Sequence, residues 1–224
     1  MRIAGPGKAS FRIGGLVAVG LLLCSLPPTL LAQEAPSEPA VAALVAKGDW
    51  DGLRRLGRGV LPVMARLYSQ KDVQRRAALA DGFYALGWES PEAKQALTRD
   101  LQTADARLRI SVQYALGRVS GEADVVDALL RTMRSDPSPL FRDKAACALS
   151  YDQTHLSEAG KVRLYAGLIA ALEDDDIQVR AFAIQTLQIH TGQTKGFRAF
   201  LPPERRARAV LEWQKWLAEY RAQL

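Results

Sequence analysis

Three stretches of this chain repeat one pattern, and that self-similarity constrains the fold more than any other feature. Leu108-Arg109 leads to Val112 and Leu116, Phe141-Arg142 to Ala145 and Leu149, and Val179-Arg180 to Ala183 and Leu187, always three and seven residues past the arginine. The steps between the arginines are 33 and 38 residues. An acid stands upstream in each case: Asp105, Asp136 and the run Asp174-Asp175-Asp176. Phe83-Tyr84-Ala85-Leu86-Gly87 likewise recurs as Gln113-Tyr114-Ala115-Leu116-Gly117. Helical spacing inside a period of roughly 30 to 40 residues means paired helices that cannot bury their apolar faces alone and must stack on their neighbours. The pattern predicts an all-α solenoid.

The intervening sequence agrees. No stretch alternates with period two for long enough to make a sheet. Val60/Leu61, Met64 and Leu67/Tyr68 make one helical face, and Val125/Val126, Leu129/Leu130 and Met133 another. Ser90-Pro91 and Ser138-Pro139 each place a cap before a proline at the first helical position. Asp175 and Gln178 have capping-box spacing. The repeated aspartate is expected to start the second helix of each pair, where the positive helix end favours its charge. The arginine that follows is expected to reach an aspartate of its own or an adjacent repeat.

The run Asp175-Asp176-Ile177-Gln178-Val179-Arg180-Ala181-Phe182-Ala183-Ile184-Gln185-Thr186-Leu187 resembles a HEAT repeat, and is similar to the short HEAT-like units also seen in phycobilin lyases. The resemblance covers four hairpins, near 58–87, 91–118, 122–150 and 157–191, the first lacking the arginine register as a capping repeat does. It implies a right-handed α-solenoid of four to five hairpins over residues 40–191, and a noncatalytic scaffold binding a protein partner along the concave face lined by the second helices. No cofactor is implied. Residues 192–224 read as a cap. Gly192 suits a helix stop, and Pro202-Pro203-Glu204 opens a helix with Val210, Trp213, Leu217 and Tyr220 on one face. Thr191-Gly192, Pro203 with Arg206, and Trp213 with Trp216 resemble the C-terminal tails of exported bacterial HEAT-repeat proteins. Trp213 is expected to be buried and Trp216 to sit at the edge.

The first thirty residues read as an address. Arg2, Lys8 and Arg12 precede an apolar run from Gly14 to Leu26, Pro27-Pro28 breaks it, and Ala32 precedes the polar linker 33–39. That order is that of a secretory signal peptide over 1–32, with cleavage near Ala32 and export to the periplasm or beyond. The run is short for a spanning helix, which needs about 20 apolar residues. Leu23 before Cys24 is not the small residue that lipidation requires, so Cys24 is not read as a lipid anchor.

Chemistry-bearing residues are few. Two cysteines and two histidines leave no Cys/His zinc cluster or disulfide framework. Cys147, inside Ala145-Ala146-Cys147-Ala148-Leu149, reads as an inert thiol in a helix core. Asp152 and His155 have a spacing that could feed a catalytic pair, but no motif supplies a nucleophile, so His155 reads as a solvated loop residue. His190 reads as a helix C-terminal residue. Glu173-Asp174-Asp175-Asp176 lacks the alternation of a calcium loop. No catalytic, cofactor or metal residue is nominated, and no anchor on the concave face, because the exposed positions of the second helices do not repeat.

The 30 lysines and arginines outnumber the 24 acids, and three of the excess lie in the apolar leader. The remainder is too small to argue for nucleic acid. It is concentrated at 52–76, with Arg54, Arg55, Arg58, Arg66, Lys71, Arg75 and Arg76 against Asp72, and from Lys195 onward. An alternative is therefore an envelope component that meets an anionic polymer or a membrane surface through a basic end. A lyase-like, chromophore-handling role would need paired titratable groups, and none is evident.

Overall fold

The computed structural model describes residues 36–70 and 72–224. The signal peptide assigned to 1–32 with Cys24 and the cleavage site, the start of the linker, and Lys71 lie outside the described residues.

Every regular element among the described residues is a helix. The order is α1 (Glu38–Lys47), α2 (Trp50–Arg55), α3 (Val60–Gln70), α4 (Val73–Leu86), α5 (Pro91–Thr98), α6 (Ala106–Val119), α7 (Ala123–Ser135), α8 (Pro139–Tyr151), α9 (Glu158–Ala171), α10 (Ile177–Thr191) and α11 (Pro203–Ala222). The four hairpins read from the sequence are α3–α4, α5–α6, α7–α8 and α9–α10. Their second helices stack in one row, α4 on α6, α6 on α8 and α8 on α10. The first helices lie in the other row, α3 on α5 and α7 on α9, with Lys94 of α5 bridging to Glu122 and Asp124 at the start of α7, and α11 packs on α9. The short pair α1–α2 precedes them, α1 against α3 and α2 against α4, so it occupies the place of a truncated fifth hairpin. Helix therefore begins inside the expected linker: Ser37 stands at the cap, and Pro39 falls in the first turn, where its missing N–H is not needed.

The second helices start as their sequence dictates, with two exceptions. Asp72, Asp105 and Asp176 cap α4, α6 and α10, accepting from the backbone N–H of Arg75 at 3.0 Å, Leu108 at 2.8 Å and Gln178 at 2.8 Å. At α8 the cap is Ser138, and Asp136 accepts the Ser138 N–H at 2.9 Å instead, because its other oxygen is taken by Arg109. The capping box expected at Asp175 moves one residue on, so Gln178 contributes its backbone N–H and not its side chain.

Counting four residues from each cap gives Arg76, Arg109, Arg142 and Arg180. The first hairpin thus keeps the arginine register, contrary to the reading that it lacks it. Leu79 and Phe83 stand three and seven residues past Arg76, and the Arg75-Arg76 pair had hidden the match. Arg76 donates to Asp100 at 2.7 and 2.8 Å, and the Tyr68 hydroxyl donates to the same carboxylate at 2.7 Å. Arg109 donates to Leu101 O at 3.0 Å in its own hairpin and pairs with Asp136 in the next. Arg142 donates to Asp136 O at 2.8 Å and reaches Asp176 of the next hairpin at 3.4 Å. Arg180, with no hairpin beyond it, donates to the carbonyls of Asp174, Asp175 and Ala199 at 2.7, 2.8 and 3.0 Å. Each rung ties a turn to the start of a helix and fixes the offset between neighbours.

The opposite ends of the hairpins are joined by close backbone approach. A Cβ on Gly121 would lie 2.1 Å from His155 O, so only glycine lets the α6–α7 loop meet the α8–α9 loop. His155 is consequently not a solvated residue. It is half-buried, and its Nε2–H donates to Gly87 O at 3.0 Å, joining the loops that follow α4 and α8. His190 likewise donates to Leu149 O at 2.8 Å, satisfying one of the carbonyls left free at the end of α8.

The tail packs through aromatics. Trp213 is fully buried and donates its indole N–H to Thr194 O at 3.3 Å. Trp216 is half-buried beside it, and the rings of Tyr165, Trp216 and Tyr220 lie 5.3 to 5.5 Å apart. Lys195, in the left-handed region at φ 47°, holds its ammonium 5.2 Å from the Trp213 ring centre and 5.9 Å from that of Trp216. The cation over the ring faces offsets part of the cost of that backbone conformation.

Candidate interaction face

The row α4, α6, α8, α10 turns one side to the first helices, through Leu79, Val112, Ala145 and Ala183 and through Phe83, Leu116, Leu149 and Leu187, all buried. The other side carries residues that do not repeat. Tyr84 and Tyr114 come from adjacent hairpins, thirty positions apart in the chain, and stacking brings their ring centres to 6.1 Å at an angle of 50°. The Arg118 guanidinium lies 4.7 Å over the Tyr84 ring and its Nε–H donates to Asp152 at 3.0 Å. Tyr151, at the end of α8, is 60% exposed, while Tyr84 is 36% exposed.

The chemistry of this cluster is that of a preorganised anchor. Burial pushes the Asp152 carboxyl above its ordinary value despite the neighbouring Arg118, and burial also raises the Tyr114 hydroxyl. Arg118 is thus held by a carboxylate that is itself enclosed, leaving its flat face on Tyr84. A guanidinium locked over an aromatic ring loses little freedom when a partner covers it.

Beside the cluster, a cleft of about 150 Å³ opens between α8 and α10, lined by residues that include Asp143, Cys147, Tyr151, Phe182 and Gln185. Cys147 is therefore half-exposed at a cleft and not enclosed in a helix core: α8 turns it away from the first helices, toward Tyr114. Burial raises its thiol above the ordinary range, which favours the neutral form. Asp81 pairs with Arg107, which also donates to the Ser111 hydroxyl at 2.7 Å.

The residues weighed for catalysis are not brought together. Asp152 faces Arg118, whereas His155 faces the Gly87 carbonyl. The acidic run is divided among structural partners: Asp174 meets Arg134 at 3.3 Å and Asp176 meets Arg142. Among the described residues no three of His, Cys, Asp and Glu converge on one point. Most described arginines of the basic segment 52–76 find counter-charges, whereas Arg58 donates to Glu89 O at 2.7 Å. Arg54 pairs with Asp51, Arg66 with Glu38, Arg75 with Asp72 and Arg76 with Asp100, acids mostly outside the segment that was counted.

Stacked helical hairpins with a ladder of buried arginines define an α-solenoid that works as a helical-repeat scaffold. Residues 60–150, spanning α3 to α8, match the family model of HEAT repeats, so this stretch of the chain is built of HEAT repeats. No curated protein matches the chain. HEAT repeats commonly mediate protein interactions.

Proposed function

We propose that the protein is an exported, noncatalytic scaffold that binds a protein partner along its second-helix face, with Tyr84, Tyr114, Arg118 and Tyr151 as anchors. The observation that carries this reading is the Arg118–Tyr84–Tyr114 cluster. Tyrosine and arginine dominate binding energy at protein interfaces, and here they sit together on the side of the solenoid that the first helices leave open. The flanking pairs Asp81–Arg107 and Asp143–Lys144 supply a polar rim. Export rests on the charge, apolar run and small-residue order of residues 1–32.

Capture from envelope extract at low and high salt, with wild type and a Tyr84→Ala/Tyr151→Ala variant, tests the face. One defined protein retained by wild type at both salts, and lost on the double substitution, is expected. Identical capture by the variant would move the partner elsewhere. The mass of the secreted chain tests export: a start near Gln33 is expected, and a chain retaining Met1 would sink that part.

A further inference from the structure

The arginines at the C-terminal end differ from the rest. Those along the repeats are mostly paired, as in Arg107–Asp81, Arg118–Asp152 and Arg163–Asp127. Between Lys195 and Leu211 the chain carries Lys195, Arg198, Arg205, Arg206 and Arg208 against one acid, Glu204. Among the described residues no carboxylate lies within ion-pairing distance of any of these four arginines. Arg206 gives one nitrogen to Leu201 O at 2.7 Å, and Arg198, Arg205 and Arg208 are exposed.

Two large apolar side chains are exposed in the same segment. Phe200, two residues from Arg198 in the loop before α11, is 68% exposed. Along α11, Glu204, Arg208, Leu211 and Lys215 follow one another at helical spacing on the side away from the buried Trp213, and Leu211 is 63% exposed. The exposed stripe thus sets Arg208 and Leu211 between Glu204 and Lys215, and Lys215 pairs with Glu219 at 3.9 Å.

We infer that this end of the solenoid is a docking surface for an anionic lipid bilayer. Phe200 and Leu211 enter the headgroup layer while Arg198, Arg205 and Arg208 lie against lipid phosphates, whose geometry the guanidinium fork matches. No described helix is long and apolar enough to cross a membrane, so the contact is one of lying on the surface. The exposed apolar pair separates this occupant from a soluble polyanion, which would need the charges alone. Lipid docking here is independent of a partner on the second-helix face, and leaves that face free.

Ala35 to Leu224 packs as one compact unit, so the body is testable without the apolar leader. Its co-sedimentation is measured with vesicles of phosphatidylcholine alone and mixed with phosphatidylglycerol, at low and high salt, with soluble polyphosphate as competitor. Binding to the mixed vesicles that weakens with salt is expected. Arg205→Glu/Arg208→Glu lowers it about tenfold or more. Phe200→Ser lowers it without altering the salt dependence, a readout that loss of charge does not mimic. Both changes are at exposed positions, and an unchanged melting curve shows that the fold is kept. Equal binding to neutral vesicles, or full binding by the charge-reversed variant, would overturn the proposal. So would polyphosphate binding that Phe200→Ser leaves untouched with no retention by vesicles, which marks a polymer site.

Discussion

A buried charge is only as good as its partner, and the ladder shows this at single residues. Arg109 and Asp136 are both buried, so Asp136→Ala leaves a guanidinium enclosed without its counter-charge. A loss of about 3–5 kcal/mol in urea unfolding is expected, with most of it recovered when Arg109→Met is added. Gln113 presents the opposite case. It is fully buried in α6, and neither atom of its amide has a protein partner. Gln113→Leu is expected to raise stability by about 1 kcal/mol, measured the same way. The spacing around each arginine and the kind of partner, an aspartate of an adjacent repeat, were legible in the sequence, whereas Asp100 as the partner of Arg76 was not. The 24, 27 and 34 positions that separate Arg76, Arg109 and Arg142 from their acids follow no fixed period, because the hairpin turns differ in length.

At the scale of helices and loops, the acids that pair or cap set the pH response. Asp72 is held below the usual carboxylate range by the Arg75 N–H, Asp127 by its bonds from Arg163, and Glu158 by Lys161. Each binds its proton more weakly folded than unfolded. Their stabilisation is therefore complete above the unfolded carboxyl value of about 4 and fades as pH falls through the folded one. Melting temperature is expected to fall between about pH 5 and pH 2, and Asp127→Asn to flatten that fall. Gly121→Ala places a methyl group against the His155 carbonyl and is expected to cost about 3 kcal/mol. Equal costs for Gly121→Ala and Gly121→Val in urea unfolding would deny that crowding is the cause. Four hairpins were readable because their apolar faces are long. The α1–α2 pair was not, since α2 is only six residues between Gly48 and Gly57 and shows too little of a period.

Across the whole molecule, stability is expected to drain from the C-terminal end when the tail is disturbed. Trp213→Ala empties a fully enclosed site and costs about 3–5 kcal/mol by chemical unfolding. In a chain ending at Thr191, hydrogen exchange should speed up in α9 and α10 while α4 and α6 keep their protection. Uniform loss across all helices would mean that the array melts as one unit. The candidate face is also a property of the assembled array. Tyr84 and Tyr114 were visible as a recurring tyrosine, but Arg118 comes to lie over Tyr84 only through the stacking of adjacent hairpins. Side chains that meet across repeats leave no periodic mark in a sequence.

The last arginine of the ladder is satisfied differently from the others. Arg76, Arg109 and Arg142 each reach forward to a carboxylate, an invitation that a further hairpin could answer. Arg180 instead donates Nε–H and Nη1–H to three main-chain carbonyls, one of them in the tail. Any additional repeat would have to unseat Ala199 before it could join. At this rung backbone oxygen stands where the other rungs place an acid, and the tail holds the arginine that a neighbouring hairpin would otherwise engage.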